Sequence, residues 1–198
     1  MLTPEIINNI IERFKVDLGN SLVNETSIVR KYLLHGSPLI FQDNEDLYFN
    51  LKNQIANFFD ISTSKIIMVG SSKLGFSIAP DKLWKHTEET SDIDMVVISD
   101  VVFDFFWKDL LDFNINVVAR TIKEDADFRE FLEYFLKGWI RPDKFPFKYA
   151  VKDKWFEYFK SISYNKYKKR KITVAVFRNE YFFEKYHTLN IKKIRLGL

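Results

Sequence analysis

Two stretches of the sequence decide how this chain folds. Residues 66–80 read IIMVGSSKLGFSIAP, and residues 91–99 read SDIDMVVIS. Each contains a short apolar, β-rich run, Ile66 to Val69 in the first and Ile93 to Ile98 in the second, which is typical of a strand. We therefore expect two neighbouring strands of one sheet, with Gly70 in a turn directly after the first.

Two aspartates, Asp92 and Asp94, stand one residue apart at the head of the second strand. Residues i and i+2 of a strand point to the same face, so the two carboxylates converge while Ile93 and Met95 face the core. Two neighbouring anions repel each other, and a divalent magnesium ion, which prefers hard oxygen ligands, resolves this conflict and bridges to phosphates. We expect Asp92 and Asp94 to bind Mg²⁺, or Mn²⁺ in its place.

The residues after the first strand suit a triphosphate. Gly70 lets the backbone come close to a phosphate chain, and the hydroxyl of Ser71 together with neighbouring backbone N–H groups can hold the terminal phosphate. Lys73 adds positive charge. We therefore predict nucleotide and phosphate binding by Gly70, Ser71, Ser72 and Lys73.

These segments together resemble the polymerase-β-like nucleotidyltransferase superfamily, whose hallmark is a Gly-Ser pair after one strand and an Asp-x-Asp on the next. The chain is most similar to a small bacterial branch found among defence and toxin–antitoxin genes, which combines GSSKLGFS, SDIDMVVIS and a spacing such as that of Phe103 and Trp107. The resemblance is strong over about residues 65–107 and weaker in GWIRPDKFP and VFRNEYFFEKYH.

The resemblance implies an activity and its partners. Asp92 and Asp94 would be the catalytic carboxylates and would ligate two magnesium ions, and Ser71 would contact the γ-phosphate of a nucleoside triphosphate. A hydroxyl of a nucleotide, nucleic acid or protein would attack the α-phosphorus in line, and pyrophosphate would leave. The further partners implied are an oligonucleotide, as acceptor or product, and an effector or toxin protein in antiviral defence.

The sequence departs from the family pattern at two points. The interval from Ser72 to Ser91 is long, which implies an inserted loop. Active members also usually carry a third carboxylate on a later strand, which helps to bind metal and can accept the proton of the attacking hydroxyl. The late strand predicted over 172–177 offers Thr173 as its polar side chain.

This second departure leaves two alternatives open. In the first, Glu180, Asp100 or Asp104 takes the place of the third carboxylate. In the second, the site binds nucleotide and metal without efficient transfer, and the chain is a regulatory subunit that acts through a partner protein.

Apolar residues recur at spacings of three and four in the rest of the chain, which predicts helices. The first helix carries Thr3 as its N-cap and Pro4 at its first position. The predicted helices span about residues 3–22, 46–59, 102–113, 125–137, 153–164 and 179–195. Residues 115–119 fit a strand or a loop, and the two prolines in 141–146 predict a turn or loop. We assign the aromatic residues Phe105, Phe106, Trp107 and Trp155 to the core.

These elements predict an α+β fold. Its small mixed sheet, of the nucleotidyltransferase (polymerase-β palm-like) type, would contain residues 66–69, 93–98 and 172–177 and be flanked by helices. At 198 residues the chain is expected to form a single domain. Within it we distinguish N-terminal helices (about 1–60), a core site (about 65–120) and a C-terminal part of helices and a strand (about 121–198).

Composition restricts the classes of function. The chain has no cysteine, which excludes disulfides, thiolate zinc sites and thiol nucleophiles. It has no run of about eighteen uncharged apolar residues, and its N-terminus carries acidic residues without an apolar signal core. We expect a cytoplasmic protein that does not associate with a membrane. The net charge of +3 is close to balance, so any phosphate binding must be local.

A basic stretch, KYKKRK, covers residues 166–171, with Tyr164 and Tyr167 interleaved. Lysine and arginine neutralise phosphates and tyrosine stacks on bases, so the stretch could follow a nucleic-acid backbone or a triphosphate tail. The alternative is a solvated surface turn. The sequence leaves both interpretations open.

Overall fold

The computed structural model of the protein describes residues 3–116, 119–146, 149–164, 166–167 and 169–197. Its helices are α1 (Pro4–Gly19), α2 (Glu25–Val29), α3 (Glu45–Phe59), α4 (Gly70–Leu74), α5 (Asp100–Asn116), α6 (Ile122–Leu136), α7 (Ala150–Ile162) and α8 (Glu180–Leu196). Its strands are β1 (Ile66–Val69), β2 (Ile93–Ile98), β3 (Trp139–Ile140) and β4 (Ile172–Phe177). A π-helical turn over Arg30–Leu34 continues α2.

The strands form one mixed sheet in the order β1-β2-β4-β3. Strand β2 pairs antiparallel with β1 and parallel with β4, and β3 pairs antiparallel with β4. A parallel pair needs a long crossover connection, which runs here through α5, α6 and α7. As a result, the end of β1 and the beginnings of β2 and β4 meet at the same end of the sheet.

Helices cover both faces of the sheet. On one face Ile93, Met95 and Val97 of β2 belong to a core shared with α3, α5 and α7. On the other face Val96 and Ile98 belong to a core shared with α1, α2 and α8. A central strand that is buried on both faces has a nearly continuous run of apolar residues. This pattern is why β2 can be predicted from the sequence. The predicted α+β class, with a small mixed sheet flanked by helices, is confirmed.

The helix boundaries follow local capping. Thr3 accepts a hydrogen bond from the N–H of Ile6, as its predicted N-cap role requires. A capping box of Thr121 and Glu124 starts α6 three residues earlier than predicted. Within the undecided segment, Ile115 and Asn116 belong to α5, and 117–118 lie outside the described residues. None of the described helices combines the length and the apolarity that a membrane crossing requires.

The core assignment of four aromatic residues was half right. Phe106 and Trp155 are buried, whereas Phe105 is 62% and Trp107 is 47% exposed. Helix α5 turns Val102, Phe103, Phe106 and Leu110 towards the core, which puts Phe105 and Trp107 on other sides of the helix. Prediction from aromatic content alone could not separate these faces.

Candidate functional site

The end of the sheet where β1 stops and β2 and β4 begin brings the predicted acidic pair and glycine together. The register pairs Val69 with Asp94 across the antiparallel strands, and Asp94 with Thr173 across the parallel strands. Gly70 follows Val69 directly, and Asp92 precedes β2. Three segments far apart in sequence therefore contribute to one site.

Gly70 is in direct contact with the Asp94 carboxylate. Its φ of +74° is a left-handed conformation that favours glycine. A Cβ atom built on Gly70 would stand 2.4 Å from Oδ2 of Asp94, a distance that real Cβ contacts do not show. The bare backbone of Gly70 therefore covers the carboxylate closely, and the chain enters the short helix α4 at once rather than forming a separate turn.

Asp94 is partly buried, and Asp92 is exposed. The Thr173 hydroxyl donates a 2.7 Å hydrogen bond to Oδ1 of Asp94. Burial raises the pKa of Asp94, and the charge of Asp92 raises it further; the Thr173 bond and the positive charge of Lys171 lower it. The two aspartates are thus close enough to interact, and a cation between them and a ligand would favour the ionised form of Asp94.

A buried arginine holds this end of the sheet together. Arg170 lies two residues before β4 and is 8% exposed. Its Nη1 donates to the Ser91 carbonyl at 2.7 Å and to Oγ of Ser72 at 3.4 Å. The Ser72 hydroxyl in turn donates to the Asp92 carbonyl at 2.6 Å. This chain of bonds fixes the backbone of Asp92 relative to α4 and β4.

The side chains of two of the predicted phosphate-binding residues take part in the packing of the protein. Ser72 is fully buried and makes the bonds just described. Lys73 is 6% exposed, and its ammonium donates a 2.5 Å hydrogen bond to the carbonyl of Leu33 in the π-helical turn. Burial, with a smaller contribution from the charge of Lys52, lowers the pKa of Lys73 to about 8. Both side chains are therefore engaged inside the protein, and phosphate binding by Ser72 and Lys73 stays a prediction, as it does for Gly70 and Ser71.

The three acids considered as a third carboxylate lie at the opposite end of the sheet. Asp94 pairs with Thr173 near the start of β2, and Ile98, four residues later, is about 13 Å further along the strand. Asp100 follows Ile98, and Glu180 opens α8 beyond the end of β4. Asp104 binds Arg178, with Oδ1 and Nε 3.0 Å apart.

The oxygen donors at the site are therefore the carboxylates of Asp92 and Asp94 and the hydroxyl of Thr173. Across the described part of the chain, no three His, Cys, Asp or Glu side chains are grouped so that they could hold a metal ion. Asp92 and Asp94 offer hard oxygen ligands of the type that Mg²⁺ and Mn²⁺ accept, alongside the phosphates of a nucleotide. Asp92 and Asp94 are the side chains at this end of the sheet that could hold such a cation.

The long interval between the serines and the aspartates is anchored in the core. Phe76 is fully buried, contacts Phe14 of α1 and pairs with His86 in an isolated β-bridge. The N–H of Thr87 donates to the Gly75 carbonyl at 2.7 Å, and His86 bonds Asn8 of α1 at 2.9 Å. The inserted loop is thus tied to α1 and α4 on its way to Asp92.

The basic stretch divides into buried and exposed members. Tyr167 is buried and its hydroxyl bonds Gln54, and Arg170 is buried as described; Lys168 lies outside the described residues. Lys166, Lys169 and Lys171 are exposed. The buried members, Tyr167 and Arg170, lie three residues apart within the run of charges.

A cavity of about 550 Å³ lies at the other end of the sheet. Its lining includes Arg30, Lys65, Ile98, Glu180 and Glu184, and does not include Asp92 or Asp94. Arg30 and Glu184 are already paired at 2.6 Å. The charged residues that line this cavity are of both signs and two of them are paired with each other, so they do not indicate one class of ligand. The volume of this cavity therefore does not identify the candidate site.

Comparison of the chain with protein-family models, with curated proteins and with solved structures gives no match. The functional assignment therefore depends on the residues and the geometry of the site.

Proposed function

We propose that this chain is a nucleotidyltransferase of the polymerase-β-like type, which moves a nucleoside monophosphate from a nucleoside triphosphate to a hydroxyl acceptor. The observation that carries the proposal is the contact of Gly70 with the Asp94 carboxylate. It places a bare backbone segment, suited to close approach by phosphates, directly over an acid that a divalent cation would bind. The antiparallel β1–β2 pair and the parallel β2–β4 pair agree with a palm-like sheet.

Each residue at this end of the sheet has a role in the proposal. Asp92 and Asp94 hold the cation, Mg²⁺ or Mn²⁺, which when bound neutralises phosphate charge and polarises the α-phosphorus. Ser71 lies in the first turn of α4, and in this proposal its hydroxyl would contact the terminal phosphate. Lys171 contributes positive charge to the site, because its charge lowers the pKa of Asp94. Arg170 keeps the Asp92 backbone in place.

The reaction is a substitution at the α-phosphorus. The oxygen of the acceptor hydroxyl forms a bond to the α-phosphorus, the bond from that phosphorus to the α–β bridging oxygen breaks, and pyrophosphate leaves with the electron pair. The proton of the acceptor hydroxyl passes to solvent water, so the products are the nucleotidylated acceptor, pyrophosphate and a proton. A nucleotide, an oligonucleotide and a protein hydroxyl are all chemically competent acceptors.

A second candidate function is a nucleotide-binding regulatory subunit that acts through an effector or toxin protein without transferring a nucleotide. The specific observation in its favour is the neighbour of Asp94 on β4, which is Thr173 rather than an acid. Asp100 and Glu180, at the far end of the sheet, do not compensate for this. This candidate predicts nucleotide binding without release of pyrophosphate.

One experiment separates the two candidates. The purified protein is incubated with Mg²⁺ or Mn²⁺ and each α-labelled NTP and dNTP, with and without a nucleic-acid acceptor, and all labelled products are resolved. A product that is absent with Asp94→Asn and present with Asp100→Asn supports the transferase. No product under any condition, with nucleotide binding intact, supports the regulatory subunit.

A further inference from the structure

A hydroxyl group takes the position beside Asp94 that could hold a further metal-binding acid. Thr173 is the register partner of Asp94 on the adjacent parallel strand, and its Oγ1 donates a 2.7 Å hydrogen bond to Oδ1. Oδ2, the other oxygen of Asp94, faces the backbone of Gly70. The groups from β4 and α4 that contact this carboxylate therefore carry no negative charge, and the acid that acts on it is Asp92.

The charge at this end of the sheet is small for two divalent ions. Asp92 and Asp94 provide two negative charges, and Lys171 adds a positive charge close enough to act on Asp94. Two-ion sites hold their ions about 3.5–4 Å apart. At that separation the repulsion between two double charges is strong and must be offset by anionic ligands shared between the ions. A neutral threonine provides no such ligand.

We propose that the site binds one divalent cation together with a nucleotide, and that Thr173 is the residue that limits it to one. The inference rests on the proposed nucleotide site and applies to both candidate functions. It departs from the two-ion expectation that the family resemblance gave. It also means that no carboxylate of β4 stands ready to take the proton of an acceptor hydroxyl.

The number of ions can be measured without any turnover. The protein is saturated with Mn²⁺ and, one at a time, the α,β-methylene triphosphate analogues of the four ribonucleosides. Bound Mn²⁺ is counted by equilibrium dialysis, and its electron paramagnetic resonance spectrum is recorded. A single ion keeps the six-line spectrum of isolated Mn²⁺, whereas two ions about 4 Å apart are coupled and lose it. The variants are Thr173→Asp and, as a neutral polar control, Thr173→Asn.

The expected result is one isolated Mn²⁺ per chain in the wild type and in Thr173→Asn, and two coupled ions in Thr173→Asp. Two coupled ions in the wild type would overturn the inference and leave the proposed function standing. A folded Thr173→Asp protein that still binds one ion would also overturn it. No bound Mn²⁺ above the level of Asp94→Asn, with any analogue, would remove the proposed nucleotide site itself and the inference with it.

Discussion

The backbone of Gly70 lies so close to Asp94 that an added Cβ atom would stand 2.4 Å from the carboxylate oxygen Oδ2. The contact joins the residue after β1 to the second residue of β2, and it leaves no room for a side chain. Asp94 is therefore covered on one side by backbone and bonded on the other by Thr173.

Gly70→Ala should destabilise the protein and abolish nucleotide binding. The left-handed φ of +74° costs a non-glycine residue roughly 1–2 kcal/mol, and the clash with Asp94 adds to this because the carboxylate must move. Thermal unfolding measures the first effect, and titration with Mg²⁺ and labelled nucleotide measures the second.

Gly36→Ala is the matched control for this change. Gly36 has a similar φ of +77°, but a Cβ atom there would meet nothing within 4 Å. It should show the conformational cost alone and bind nucleotide normally. Equal loss of nucleotide binding in the two variants would mean that the Gly70–Asp94 contact has no special role.

Arg170→Met should weaken nucleotide binding and lower the stability of the fold. The change removes the bonds from Nη1 to Ser91 and Ser72, and leaving such buried groups without partners costs about 1–3 kcal/mol. Because the same bonds hold the Asp92 backbone, the affinity for the nucleotide–magnesium complex should fall even at temperatures where the variant is fully folded.

Arg129→Met serves as the comparison for Arg170→Met. Arg129 is 77% exposed and pairs with Asp125 on the surface of α6, so its loss should change stability by no more than about 0.5 kcal/mol. Unchanged nucleotide affinity in folded Arg170→Met would contradict the positioning role of Arg170.

Relative to the wild type, Lys73→Met should gain most stability at pH 7, where it removes a buried charge, although it also loses the hydrogen bond to the Leu33 carbonyl. Nucleotide binding should be unchanged. Burial lowers the pKa of Lys73 to about 8, below its ordinary value of 10.5, so at neutral pH the folded state holds a buried charge at a cost. Between pH 8 and 10.5 the unfolded state binds more protons than the folded state, so wild-type stability from this group rises with pH.

The advantage of Lys73→Met should therefore shrink as pH rises through this window, which parallel melts of the two proteins from pH 7 to 10.5 would detect. A loss of nucleotide affinity in this variant would indicate that the Lys73 ammonium contributes to phosphate binding.

Asp94→Asn should stabilise the protein in the absence of metal and nucleotide. Burial raises the pKa of Asp94, so the folded state binds its proton more tightly than the unfolded state does. The free energy of unfolding that Asp94 contributes therefore falls as the pH rises above 3.8, the ordinary pKa of an aspartate. Asparagine cannot ionise, so it avoids this fall, and its side-chain oxygen can still accept the hydrogen bond from Thr173. The difference in melting temperature should be largest at neutral pH and vanish in acid; a less stable Asp94→Asn protein at pH 7 would contradict it.

Most of the sheet could be predicted because three of its strands have a recognisable local sequence pattern. The alternation around Asp92 and Asp94 and the apolar runs of β1, β2 and β4 depend on neighbouring residues, and their predicted bounds agree with the structure. Strand β3 has two residues, and it exists because it pairs with the end of β4, which no local pattern reveals.

The network around the acids could not be predicted in the same way. The bond between Thr173 and Asp94 joins residues 79 positions apart, and it depends on the parallel register of two strands. Arg170 lies in a run of charges that resembles a solvated turn, and it is buried because a tight loop, closed by the N–H of Tyr164 on the Arg170 carbonyl, turns it inward. Lys73 carries no signal that separates a phosphate ligand from a buried lysine.

We propose above all that Asp94 and its neighbours form a cation-dependent nucleotide site. Its most direct test is equilibrium binding of labelled nucleoside triphosphates to the wild type, Asp94→Asn and Asp100→Asn, each with Mg²⁺ and with EDTA. We expect Mg²⁺-dependent binding to be retained in Asp100→Asn and to fall at least about tenfold, or about 1.4 kcal/mol, in Asp94→Asn. Nucleotide binding that is equally tight in Asp94→Asn and the wild type, or that is unchanged by EDTA, would contradict this expectation.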